Sequence, residues 1–127
     1  MRRRRVAHRL GEQRRLGGAL TPLEELARLL AKHGHAAHAK AMASLSAREE
    51  ARVEGAKFWG ELAAPDVWGD AGSIASVTLG GVDAPESDEL ARDRGVFRRS
   101  LFAVAEELRL RGFESDDSER WRKRLRP

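Results

Sequence analysis

Three histidines within six residues, His33, His35 and His38, are the densest set of metal-ligating side chains in this 127-residue chain. On a helix, His35 and His38 at i and i+3 share a face and present two imidazoles. A third ligand has to come from His33 across Gly34 or from a distant carboxylate, because zinc sites take three or four ligands. The chain has no cysteine and no tyrosine, so thiolate ligation, disulfides and Cys or Tyr catalysis are excluded. The alternative role for His33 is to close a helix end, with His35 and His38 on the surface. That alternative is the expectation, and no metal or cofactor is assigned. His8 lies in the arginine-rich start, a poor place for a pre-organised site.

Gly69-Asp70-Ala71-Gly72-Ser73 has the glycine content of a phosphate cradle. It lacks the Gly-Lys-Ser/Thr ending, and the residues after it do not read as a helix. Its glycines and serine serve a tight turn more simply. The acidic neighbours Glu49-Glu50, Glu106-Glu107 and Asp116-Asp117 point in different directions on a helix and make poor acid/base dyads. No catalytic constellation emerges, and the expectation is a protein that is not an enzyme.

The elements around these residues read as an all-α domain. Thr21-Pro22-Leu23-Glu24 is a capping box with proline in the first turn. Leu23, Leu26, Ala27 and Leu30 then follow at helical spacing up to Gly34. An alanine-rich helix is expected over 35–45, and a third from the capping box at Ser46-Ala47-Arg48-Glu49 to Pro65, with Gly55 at a close crossing. A long helix is expected over 86–111, where Phe97, Leu101, Val104 and Leu108 repeat the core spacing and Gly112 stops it. Trp121 and Leu125 are enough for one docking turn in the tail. The pattern thus predicts four main helices around a central Trp/Gly-rich loop, Phe58 to Leu79. Ser73 to Leu79 is at most one short extended segment.

Charge divides the chain into three. Residues 1–20 hold seven arginines and one glutamate and read as a flexible basic arm. Residues 21–113 hold twelve basic and fifteen acidic groups and form the expected folded domain. Residues 114–127 hold five basic and four acidic groups and read as a charged tail. Arginine outnumbers lysine twenty to four, the mark of a GC-rich coding sequence whatever the function. Basic termini nevertheless bind phosphate by releasing counterions. The candidate phosphate contacts are Arg2, Arg3, Arg4, Arg5, Arg14 and Arg15 at one end and Arg120, Arg122, Lys123 and Arg124 at the other. No apolar run reaches the roughly 18 residues of a membrane helix. A cytoplasmic bacterial protein is the expectation, with its oligomeric state open.

The stretch Trp68-Gly69-Asp70-Ala71-Gly72-Ser73-Ile74-Ala75-Ser76-Val77-Thr78-Leu79 resembles a motif of a family of small, uncharacterised bacterial helical proteins. That motif is aromatic-Gly-Gly-x-Gly-Ser-Leu-Asn-Asp-hydrophobic and lies between two helical halves. Leu23 to Leu30 and Leu101 to Leu108 resemble its flanking helices, so the likeness spans residues 21–112. It implies a helical fold and brings no activity. Where the pattern has Asn-Asp this chain has Ala75-Ser76, so a carboxylate cannot act there. Trp59, Trp68, Gly69, Asp70, Gly72 and Ser73 form the candidate docking loop, since tryptophan and arginine dominate interface hot spots. The function expected is a non-enzymatic interaction module, adaptor or immunity-like, with a nucleic-acid-associated protein as the alternative.

Overall fold

A computed structural model describes residues 20–52, 55–80 and 85–127. The basic segment before them, with Arg2 to Arg5, Arg14 and Arg15, lies outside the described residues. Those described are all-α, with five helices, one single helical turn and no strand. In chain order they are α1 (Pro22–Lys32), α2 (Ala36–Glu50), α3 (Ala56–Leu62), the single turn α4 (Pro65–Trp68), α5 (Asp88–Leu110) and α6 (Asp116–Leu125). α1 packs along α2 and against α5; α6 packs on α5 and touches α4.

α1 is the apolar axis of the fold. The Thr21 hydroxyl accepts from the Glu24 N–H while the Glu24 carboxylate accepts from the Thr21 N–H, completing the capping box. Leu23, Leu26, Leu29 and Leu30 are all buried. The helix ends as a Schellman motif: Gly34 takes φ +85°, the His35 N–H donates to the Leu30 carbonyl and the Gly34 N–H to that of Ala31. α5 closes in the same way, with Gly112 at φ +82° and the Phe113 N–H donating to the Leu108 carbonyl.

The expected helices over 35–45 and 46–65 are redistributed. Ser46 does not cap a new helix: it is buried within α2, which runs on to Glu50. The Ser-x-x-Glu pattern caps only where the backbone before it leaves the helix, and no glycine or proline interrupts Ala36 to Glu50. The break comes later, where Arg52 takes φ +65° and Gly55 takes φ +154° as the N-cap of α3. Gly55 therefore caps the start of α3 rather than marking a mid-helix crossing. Pro65 does not lead straight into a loop either. It occupies the first position of α4, where its missing N–H costs nothing.

Ser73 to Leu79 also departs from the extended expectation. The N–H groups of Ser73, Ser76 and Val77 donate to the carbonyls of Asp70, Ser73 and Ile74, a run of consecutive turns. Ile74 and Ala75 meanwhile donate to Asp66 and Val67 of α4. β-branched residues have strand propensity, but no second strand pairs with them among the described residues; Ile74 is buried as a plug, Val77 is half-buried and Thr78 is exposed. The tail is a ten-residue helix. Ser115 and Ser118 form its reciprocal cap, the Ser115 hydroxyl also donates to the Ala63 carbonyl at 3.2 Å, and Leu125 is buried.

A Ser115→Ala variant is expected to lose about 0.5–2 kcal/mol of stability, the typical worth of an N-cap. Urea unfolding followed by circular dichroism measures this; an unchanged midpoint would show that α6 docks independently of its cap.

Candidate functional site

Trp68 is fully buried and donates its indole N–H to the Leu62 carbonyl at 2.7 Å. That carbonyl belongs to the last turn of α3 and has no partner in its own helix, so one bond satisfies a buried donor and an orphan acceptor. Trp59 is 5 % exposed, packed edge-on to Phe58 with centroids 4.8 Å apart. The Arg111 guanidinium lies over the Trp59 ring at 4.3 Å, a cation–π contact that covers the indole's outer face. Both tryptophans of the expected docking loop are therefore core. A tryptophan beside a glycine is equally compatible with a core plug and an exposed anchor; Trp68 is decided by Leu62 of the preceding helix, and Trp59 by Phe58 beside it and by Arg111 at the end of α5.

The loop after Trp68 is built as scaffold. The Gly69 N–H donates to the Pro65 carbonyl at 2.7 Å, and a Cβ on Gly69 would stand 2.7 Å from that same oxygen. Only glycine permits this approach without a backbone shift. The buried Ser73 hydroxyl donates to the Gly69 carbonyl at 2.8 Å and also accepts from the Ser76 N–H. Gly72, at φ +92°, and Asp70 form the exposed tip. Asp70 reaches Arg120 only at 4.0 Å, with its side chain in solvent.

A titratable cluster around a buried carboxylate joins α1 to α5. Asp93, 7 % exposed on the inner face of α5, accepts from Lys32 at 2.8 Å and pairs with His33 Nε2 at 2.9 Å through the same oxygen, Oδ2. Lys32 also binds Glu89 at 2.5 Å. The Lys32 ammonium, then the His33 ring, hold the Asp93 carboxyl below its ordinary value of 3.8 against the opposing effect of burial. Asp93 and Glu89 in turn raise Lys32 above its ordinary 10.5. The result is a polar latch joining the C-terminal end of α1 to α5. His33 closes the helix end as its alternative role required, and no group of three or more metal-ligating side chains forms among the described residues. His35 is the N-cap of α2 and His38 lies within that helix. The sequence signal for the latch was the basic pair after a leucine-rich helix; its acceptor sits 60 residues away.

Of the C-terminal candidates for phosphate contact, Arg122 is buried, while Arg120, Lys123 and Arg124 are exposed and partnered within α6. Arg122 is 9 % exposed, donating to Glu114 at 2.5 Å with Glu106 at 3.7 Å. Arg120 pairs with Asp117 at 2.6 Å, Lys123 with Glu119 at 3.3 Å, and Arg124 stacks over Trp121 at 4.6 Å. No protein-family model, curated protein or solved structure matches the chain.

Two outcomes follow from this geometry. Gly69→Ala is expected to cost about 1–3 kcal/mol, the usual range for forcing atoms into a packed site, read as a lowered urea midpoint with an unchanged slope. Asp93→Asn is expected to be less stable than the parent at neutral pH. Because the folded carboxyl titrates below 3.8, its contribution is complete above that value and is lost as pH falls through the folded pKa. The Lys32 contribution is complete below 10.5 and is lost as pH rises through its own raised value. Melting curves across pH should show the difference between parent and variant shrinking in acid; a constant difference would remove ionisation from the account.

Proposed function

We propose that this chain is a non-enzymatic protein-interaction module of the adaptor or immunity-like kind, acting in the cytoplasm. The observation that carries the reading is where the chemically versatile side chains are used. Trp68 satisfies the end of α3, Ser73 ties the loop to Gly69, and His33 binds Asp93 between helices. Trp68 and His33 hold one element against another and Ser73 closes its own loop, which leaves the outer faces of the helices for recognition. On this reading the likeness of Trp68 to Leu79 to the bacterial motif is a shared scaffold: Gly69 and Ser73 are required by backbone geometry, independent of any substrate.

Tagged full-length protein purified from its native host, with and without nuclease, tests the proposal by mass spectrometry. The expected result is one stoichiometric protein partner that survives nuclease and is retained when residues 1–19 are removed. Loss of all partners on nuclease treatment would overturn it.

A further inference from the structure

α2 is apolar on two sides. Its inward side buries Ala39, Met42 and Leu45. On its outer side Ala36, Lys40, Ala43, Ala47 and Glu50 are all exposed. Their spacing of four, three, four and three residues is the period of a seam between two helices. Ala37, Ser44 and Ala51 run beside that seam and are exposed as well. A surface helix ordinarily turns charged side chains outward, yet Lys40 is the only lysine, arginine, aspartate or glutamate between Ala36 and Ala47. No acid lies three or four residues from Lys40 along the helix, and among the described residues it makes no ion pair.

The seam is complementary to its own reversal. Ala43 and Ala47 stand equally far from Leu45 along the chain, and so do Lys40 and Glu50. Two copies of α2 laid antiparallel, with a two-fold axis level with Leu45, set Ala43 against the partner's Ala47 and Lys40 against the partner's Glu50. The symmetry makes each contact twice. Alanine in the central layers lets the helix axes approach to about 8 Å. The lysine stem lies along that small-residue surface and carries its ammonium to the carboxylate. A foreign partner imposes no relation between the two halves of the seam, whereas a second copy requires one. We propose that the outer face of α2 is a homodimer interface, filled by α2 of a second copy of this chain in antiparallel register. This pairing does not rest on the heterologous partner proposed above, and either can fail alone.

The test is sedimentation equilibrium of the full chain from about 1 μM to 1 mM, the weak range suited to a single helix face. A monomer–dimer equilibrium is expected. K40E and E50K should each weaken it about tenfold or more, because both symmetry-related pairs become repulsive. K40E/E50K exchanges the charges across the axis and should return the dissociation constant to within about threefold of the parent's. The chain has no cysteine, so A43C and A47C proteins, mixed and oxidised, should join to each other in preference to themselves. The proposal is overturned if the parent is monomeric throughout or if the single reversals leave association unchanged. It is overturned equally if the double reversal fails to restore association while circular dichroism shows the variants folded. Should a reversal lose helical signal, the cysteine pair decides, and preferential self-joining of either protein overturns the antiparallel register.

Discussion

The bond from the Trp68 indole to the Leu62 carbonyl fixes much of the geometry around it. A buried indole N–H without an acceptor costs on the order of 1–3 kcal/mol, so Trp68 can enter the core only where an orphan carbonyl is waiting. The end of α3 supplies one. That requirement sets the corner between α3 and α4, where Pro65 opens the turn and Gly69 approaches it. Ile74 and Ala75 then fold back, donating to α4 carbonyls that a four-residue helix cannot satisfy itself. The tryptophan thus organises backbone hydrogen bonding as well as apolar burial.

Electrostatic latches secure the two ends that lack enough apolar surface. α6 buries a single large apolar residue, Leu125, and has a strongly polar sequence. Its attachment depends on Arg122, held between Glu114 and Glu106, and on the Ser115 contact to Ala63. α1 needs less help, but its C-terminal end meets α5 through Lys32 and His33 on one Asp93 oxygen. Burying that carboxylate is tolerable because two donors converge on it. Breaking one partner leaves a buried charge, which makes the latch more costly to lose than an exposed pair of similar length.

Beyond its exposed ion pairs, arginine is used in three physical ways. Arg122 is an internal tie, Arg111 and Arg124 cover tryptophan faces, and Arg98 and Arg99 remain as unmatched surface cations. Composition cannot separate these uses, since a GC-rich coding bias raises all of them together.

By itself the sequence determined the all-α class, the α1 capping box, the leucine face of α1, the two glycine stops at Gly34 and Gly112, and the core spacing of α5. These are local: a cap, a period of 3.6 and a positive φ are written within a few residues. Tertiary structure decided the rest. Whether Ser46 begins a helix or is buried within one depends on the continuity of the backbone before it, and whether Ile74 is strand or plug depends on a partner strand that does not form. Trp68, Asp93 and Arg122 acquired their roles from Leu62, Lys32 with His33, and Glu114 with Glu106. Each of those roles is a contact between separate elements, and spacing along one element carries no information about which carbonyl or charge another will bring to it.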